Sequence, residues 1–296
     1  MGRSTSQQDS LKQISLWSDS EAPHYTAIPD KDFVSLRDPL WTRNKALLIQ
    51  EYLRLFILIT KHGAYIDGFA APQRAGHYDK WSAKLVLETE PKWMREFWLC
   101  DVSPEGVQQL EILAQRHRDR RIQVLPGDFN ETVRTILASG KITEKKATFA
   151  LLDQRTFECK WKTVETLASH KKEKKIELFY FLASGWLDRS LKAVERPEKR
   201  TQVQHWWGRD DVEKLQGMDR NTRAHLMADR FKQELGYLTS TPYAIHSKQR
   251  GGRIMYHMIH ASDHEEAKSL MVRAYRKVSG RSESVLAQEL LFDFHD

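Results

Sequence analysis

The stretch Lys61–Tyr78, KHGAYIDGFAAPQRAGHY, decides how the rest of the chain is interpreted. Its apolar run, Ala64-Tyr65-Ile66, ends at Asp67 and opens into a loop of small residues and glycines. A buried parallel strand has this pattern when it brings its last side chain and a flexible loop to a ligand crevice. We therefore predict a strand that ends at Asp67 and a loop that follows a ligand closely.

Three further strand-like runs end in the same way, at Asp101, Asp128 and Asp153. The four acids are separated by 34, 27 and 25 residues, and each interval fits a strand, a crossover helix and two loops. A fifth strand is predicted over Ile176–Leu182. These units predict a doubly wound α/β domain with a nucleotide-type ligand across the strand ends. A surface or helix-capping acid is the alternative at each position.

The pattern changes after the fifth strand. Residues 186–240 have the spacing of helices with charged outer faces and predict a helical insertion. Two strands follow, at Pro242–Ser247 and Arg253–His260, and Gly251-Gly252 between them predicts an antiparallel edge hairpin. The predicted divisions are an irregular N-terminal arm over 1–40, a Rossmann-like domain over 41–280 and a C-terminal tail over 281–296.

The composition is typical of a protein without membrane spans. The chain has 296 residues, of which 40% are hydrophobic and 29% charged, and polar residues interrupt its longest apolar stretch, Leu47–Thr60. A membrane span needs roughly 18–20 apolar residues. The two cysteines, Cys100 and Cys159, are too few for a disulfide framework. We expect a cytoplasmic protein with no membrane partner.

The net charge of +7 permits an anionic partner such as nucleic acid. Much of the positive charge lies in four clusters, at residues 117–121, 141–146, 160–175 and 196–200. A solvated loop or helix end is the simpler interpretation of each cluster. The alternative is that these loops contact the phosphates of a nucleic-acid substrate.

Five parallel strands followed by an edge hairpin resemble the class I S-adenosylmethionine-dependent methyltransferases. Tyr65-Ile66-Asp67-Gly68-Phe69-Ala70-Ala71-Pro72 resembles the first motif of that family, an acid followed by a small-residue loop. The resemblance implies that Asp67, Gly68, Phe69 and Ala70 bind S-adenosylmethionine. In the family the loop backbone lies against the methionine part of the cofactor, and small residues allow that approach.

The later strand ends extend this resemblance. Asp101 resembles the acid that accepts hydrogen bonds from the ribose hydroxyls, and Asp128-Phe129 resembles the pair that contacts the adenine. Asp153 stands where the family has its catalytic or substrate-facing motif, and Phe157 or Trp161 could stack a target base. For Asp128, a helix N-cap is the alternative, because Gly-Asp-Phe-Asn also suits that role.

The chain further resembles the three-Cys-motif partner family, TcmP, which is bacterial and methyltransferase-like. The resemblance covers roughly residues 40–280 and rests on Trp41-Thr42-Arg43-Asn44-Lys45, on the first motif and on His205-Trp206-Trp207-Gly208. It implies a partner protein with a radical-SAM-type three-cysteine motif.

Two loops depart from the family patterns. Gln73-Arg74 replaces the usual Gly-Pro-Gly continuation of the first motif, and Gln154-Arg155 follows Asp153 where the family has a rigid proline turn. Two function classes therefore stay open: a methyltransferase, with nucleic acid as one substrate class, or a catalytically degenerate nucleotide-binding or regulatory module that acts through a partner.

Other candidate site residues have simpler interpretations. His257, His260 and His264 are spaced like metal ligands, but strand alternation turns the first two to opposite faces, so no metal site is predicted. Cys159 is expected to be a buried thiol, because no histidine partner is identifiable. Trp206-Trp207 could stack a base, although packing of the insertion on the sheet is favoured.

Overall fold

The structure of the protein is a computed structural model that describes residues 45–72, 80–185, 187, 191, 197–246 and 254–279. Several predicted features lie outside these residues: the N-terminal arm, Gln73-Arg74, the Gly251-Gly252 turn and the C-terminal tail. The division of the chain at residues 40 and 280 therefore stays a prediction.

Seven strands form one sheet in the described part of the chain. They are β1 (Gly63–Asp67), β2 (Met94–Asp101), β3 (Arg121–Pro126), β4 (Thr148–Leu152), β5 (Glu177–Leu182), β6 (Thr239–His246) and β7 (Ile254–Ser262). Their order across the sheet is β3-β2-β1-β4-β5-β7-β6, and β1 to β5 are parallel. β7 runs antiparallel to both β5 and β6. The predicted fold is confirmed: a Rossmann-like, class I methyltransferase arrangement with an antiparallel edge hairpin.

Helices connect the strands and cover the sheet. They are α1 (Lys45–Thr60), α2 (Ser82–Leu87), α3 (Pro104–Arg116), α4 (Phe129–Ala138), α5 (Trp161–Ser169), α6 (Pro197–Trp207), α7 (Arg220–Gln233) and α8 (Ala267–Ser279). The helical insertion is present where it is described, with α6, α7 and a single 3₁₀ turn at Val212–Leu215 between them.

The sheet separates two apolar cores. Every residue of β1, β4 and β5 is buried, as expected for parallel strands with helices on both faces. Alternate side chains point to opposite faces, so Ile66 packs in the core that contains Trp161, whereas Tyr65 packs with Tyr52 and Phe149 in the other. The two cores hold the strand ends in fixed positions.

The parallel strands give the sheet a carboxyl end, where β1 to β5 finish, and an amino end, where they begin. Buried polar contacts fasten the amino end. Glu177, the first residue of β5, accepts hydrogen bonds from the Tyr52 hydroxyl, from His260 Nε2 at 2.8 Å and from the Ser262 hydroxyl at 3.0 Å. A buried carboxylate requires hydrogen-bond donors, and here they come from α1 and β7. The bonds of Glu177 therefore join α1, β5 and β7.

Candidate functional site at the carboxyl end of the sheet

All four predicted acids lie at the carboxyl end of the sheet. Asp67 and Asp101 are the last residues of β1 and β2, Asp153 directly follows β4, and Asp128 comes two residues after β3. β2 and β3, the next strands in the chain, lie on one side of β1, whereas β4 and β5 lie on its other side. The strand order therefore reverses direction at β1. Ligands of open α/β sheets bind at such a switch in strand order. The candidate site is therefore the crevice above β1.

Asp67 is buried at the carboxyl end of β1, with 1% of its surface exposed. Its carboxylate accepts the Tyr65 hydroxyl at 2.9 Å and the Phe69 backbone N–H at 3.2 Å. Burial, with a smaller contribution from the charges of Asp153 and Asp101, raises the pKa of Asp67 to about 7, although the two hydrogen bonds lower it. The charge of Asp67 therefore changes near neutral pH.

Asp101 is more accessible than Asp67 and organises two loops. One carboxylate oxygen accepts the Ala71 N–H at 3.1 Å, and the other accepts the Ser103 N–H at 2.9 Å. A carboxylate has about four acceptor positions, so room remains for two hydroxyl donors. The loop is also held by the Ala70 N–H, which donates to the Cys100 carbonyl at 2.8 Å. Asp101 thus holds the loop in place and keeps acceptor positions that a diol could use.

Gly68 lies against the Phe129 ring. A Cβ at this position would be 2.7 Å from the ring, so the close approach requires glycine. Phe129 itself is 2% exposed and belongs to the core. It supports the Gly68 backbone from below, which leaves no open ring face for the predicted contact with adenine.

Val102 presents an apolar surface that the sequence analysis missed. It directly follows Asp101 and is 75% exposed, the highest value among the exposed large hydrophobic side chains of the described residues. A branched apolar side chain in water beside a candidate ligand acid can pack against an apolar ligand surface. Its signal in the sequence was its position next to a strand-end acid.

Asp128 is the N-cap of α4. Its Oδ1 accepts the Asn130 N–H at 2.9 Å and the Asn130 side-chain amide at 2.7 Å. Asn130 in turn accepts the Lys160 N–H and the Thr163 hydroxyl. The N-cap alternative for Asp128 is thus present in the structure, and its exposed carboxylate keeps one oxygen outside these bonds. The ligand role of Asp128 stays a prediction.

Asp153 forms a bidentate ion pair with Lys45. The Nζ–O distances are 2.8 and 2.7 Å, and the two side chains are 11% and 12% exposed. The Lys45 ammonium also lies over the rings of Phe181, at 4.8 Å, and Tyr256, at 5.6 Å. Both carboxylate oxygens therefore already accept a hydrogen bond. Lys45 belongs to the Trp41–Lys45 motif, but no local sequence pattern connects it with Asp153.

The loop after Asp153 is fastened to the sheet by Gln154, which is fully buried. Its amide donates to the Phe181 carbonyl at 3.1 Å and accepts the Cys159 N–H at 3.0 Å. Phe157 and Trp161 point into the core, where Phe157 packs edge-on against Trp206. The expectation that Phe157 or Trp161 stacks a target base is therefore wrong in this conformation.

The remaining candidates are structural. Cys159 is buried, and burial raises the pKa of its thiol, as expected for an unreactive cysteine. Trp206 and Trp207 are buried, which confirms the packing interpretation. His257, on β7, contacts the Ser184 hydroxyl at 2.6 Å and Asn221 at 3.0 Å, joining β7 to α7 of the insertion and to the residues that follow β5. Among the described residues, no three His, Cys, Asp or Glu side chains form a group that could hold a metal.

The basic clusters lie at both ends of the sheet. Clusters 117–121 and 141–146 precede β3 and β4, and the 171–175 part of the third cluster precedes β5, so these residues lie at the amino end. Lys160 and Lys162, at the start of α5, lie at the carboxyl end, and the contact of the basic loops with a nucleic-acid substrate stays a prediction. The fourth cluster lies partly outside the described residues. None of the helices in the described residues is long and apolar enough to cross a bilayer.

Comparison with known proteins identifies neighbours in structure alone. No family model and no curated protein matches the sequence. TYW2 from M. jannaschii, solved in complex with AdoMet, is 10% identical over 73% of this chain and 75% of its own, with a TM-score of 0.38. A DUF574 family protein from Streptomyces avermitilis is 11% identical over 75% and 83%, with a TM-score of 0.44. The CurJ carbon methyltransferase is 13% identical over 68% and 49%, with a TM-score of 0.41.

These likenesses are too distant to carry an argument about activity. The fold assignment rests on the strand order and directions described above.

Proposed function

We propose that this chain binds S-adenosylmethionine at the carboxyl end of its sheet and acts as a methyltransferase-like protein. The observation that carries the proposal is the arrangement of Asp67 and Asp101 on adjacent parallel strands, beside the tight Gly68–Ala71 backbone at the switch in strand order. This is the position at which open α/β sheets hold nucleotide-type ligands.

The residues present suit the parts of such a cofactor. Asp101 would accept the ribose hydroxyls, and Val102 would pack against the adenine, whose amino group Asp128 could bind. The Gly68–Ala70 backbone would lie along the methionine part. When bound, the cofactor would supply a methyl group on a positively charged sulfur, and a cation close to Asp67 would favour the charged form of that carboxyl.

On the acceptor side, Asp153 is the candidate to hold the target group, and the 186–240 insertion would cap the substrate. Membership of the TcmP family, a nucleic-acid acceptor and a partner with a radical-SAM-type three-cysteine motif remain part of this proposal. They rest on the sequence resemblance and the positive charge of the chain.

The second candidate function is a regulatory module that binds the nucleotide without methyl transfer. The Lys45–Asp153 ion pair favours it, because both oxygens of the candidate acceptor carboxylate are already engaged. The buried Gln154 adds to this, since it replaces a rigid turn by a side chain that is part of the core.

Calorimetry with S-adenosylmethionine tests the binding step. We expect a micromolar Kd, which Asp101→Ala and Val102→Asn weaken at least tenfold. Val102→Asn is the sharper variant because this exposed side chain contributes little to the fold. Asp210→Asn, at an exposed acid of the insertion, is the matched control and should leave the Kd unchanged. No detectable binding by the folded wild type would refute the proposal.

Transfer of a labelled methyl group separates the two functions. The protein is incubated with labelled S-adenosylmethionine and with RNA, DNA or a cell extract. Label in a macromolecule that Asp153→Ala abolishes would identify an enzyme, whereas binding without transfer would identify the regulatory module.

A further inference from the structure

Two neighbouring loops concentrate the positive charge of the chain at the amino end of the sheet. Residues 139–147 lead into β4, and residues 170–176 lead into β5, the adjacent strand. Together they contain seven lysines and two glutamates, a formal charge of +5, whereas the whole chain carries +7. This charge lies at the end of the sheet opposite the strand-end acids.

The two loops are bonded to each other. Lys171 is buried, and its ammonium donates to the Lys146 carbonyl and to the Thr148 hydroxyl, the latter at 3.1 Å. The Lys172 N–H donates to Glu144 Oε1 at 3.0 Å, and His170 Nε2 lies 2.9 Å from the Ile142 carbonyl. The loops therefore form one preorganised surface, and a ligand that binds it orders little additional backbone.

Four lysines of this surface point into water: Lys141, Lys145, Lys172 and Lys174. None of them forms an ion pair within the part of the chain that the structure describes. Lys175 is different, because it lies 3.7 Å from Asp263, which bounds the surface on the β7 side. The excess of lysines on these two adjacent loops is self-repulsive, and a polyanion relieves that repulsion.

The strand register extends this surface to an exposed aromatic ring. Gly63 is level with Met94 and Ala64 with Thr148, so the residues just before these positions form a row along the amino end. The row runs from Trp93, before β2, through His62 to Lys146 and the second lysine loop. Strands lie about 4.8 Å apart, so a row across four strands is about 14 Å long. Trp93 is 44% exposed, which is unusual for this side chain.

We propose that this amino-end platform, formed by residues 139–147 and 170–176 with His62 and Trp93, binds single-stranded nucleic acid. Lysines in a row contact successive phosphates, and an exposed aromatic ring stacks an unpaired base, which is the usual combination for single strands. The platform is separate from the carboxyl-end crevice and does not depend on a bound cofactor.

Fluorescence anisotropy with a labelled 20-nucleotide single-stranded RNA tests the platform in the full chain. The test variant is Lys145→Ala/Lys172→Ala, and the control is Lys162→Ala/Lys214→Ala, which removes the same charge from exposed lysines outside the platform. On a single strand, each lost phosphate contact lowers the slope of log affinity against log salt concentration by about 0.7. At 0.1 M salt this corresponds to about a fivefold loss of affinity. We expect the test variant to bind about 25-fold more weakly and the control to bind like wild type.

Trp93→Ala separates stacking from charge. Loss of a stacked base should weaken binding about tenfold with an unchanged salt slope, and Trp93→Phe should restore most of the affinity. Thermal unfolding checks that each variant is folded. Calorimetry with S-adenosylmethionine on the lysine variant keeps this proposal distinguishable from the proposed function, because cofactor binding should be unaffected.

Three outcomes would overturn the proposal. They are no RNA binding by wild type, equal losses in the test and control variants, or binding of the platform to phosphatidylserine vesicles but not to RNA.

Discussion

Replacing Asp67 by asparagine should remove a pH dependence of stability that the buried carboxyl creates. Burial raises the pKa of Asp67 from its ordinary value of 3.8 to about 7. Between these values the unfolded chain carries the charged form and the folded protein the neutral form, so the folded state binds an additional proton. Stability from this group is therefore complete at low pH and is lost as the pH rises toward 7. At 1.36 kcal/mol per pH unit, the loss between pH 5 and pH 8 is about 2–3 kcal/mol.

Urea unfolding of the wild type and Asp67→Asn at pH 5, 6, 7 and 8 measures this difference. The asparagine can donate to the Tyr65 oxygen and accept the Phe69 N–H, so the hydrogen bonds of the site are kept. The difference in stability between Asp67→Asn and the wild type should shift in favour of the variant by about 2–3 kcal/mol between pH 5 and pH 8. Asp210→Asn controls for the loss of one acid. If the stabilities of wild type and Asp67→Asn change in parallel from pH 5 to pH 8, the pKa of Asp67 is not raised by burial.

Three further predictions concern the same end of the sheet. Lys45→Met leaves Asp153 as a nearly buried charge without its partner and should lower the free energy of unfolding in urea by about 3 kcal/mol. Adding Asp153→Asn to the same chain should recover most of this loss. A loss that the second change does not reduce would contradict the pairing. Gly68→Ala brings a Cβ to 2.7 Å from the Phe129 ring and should lower the free energy of unfolding by about 1–3 kcal/mol. Phe129→Leu in the same chain should remove the steric clash and restore part of the stability. An unchanged Tm for Gly68→Ala would show that the contact is looser than described. Burial raises the pKa of the Cys100 thiol to about 12 and also raises the pKa of the Cys159 thiol. Neither cysteine should therefore react with a thiol reagent at pH 8 until the protein is unfolded. Rapid labelling of the native protein would contradict their burial.

The fold could be predicted because its signals are local. Short apolar runs that end at an acid, spaced by one crossover helix, show where Asp67, Asp101 and Asp153 leave the sheet. The edge hairpin also has a local signal, in its glycine turn and strand pattern.

The details of the site depend on contacts between distant residues, which no local pattern contains. Lys45 and Asp153 are 108 positions apart, and their pairing arises only when α1 begins above β4. The same holds for Phe157 and Phe129, whose aromatic side chains could serve a ligand or the core, and which tertiary packing places in the core. The position of the basic loops follows from the topology, because loops that lead into parallel strands all lie at the amino end.

A crystal structure of the protein soaked with S-adenosylhomocysteine would show whether the carboxyl end of the sheet binds the cofactor. We expect density for the nucleoside at the carboxyl end of β1 and β2, with the ribose hydroxyls on Asp101 and the adenine against Val102. Density at another surface, or an empty crevice in crystals soaked at millimolar ligand, would contradict it.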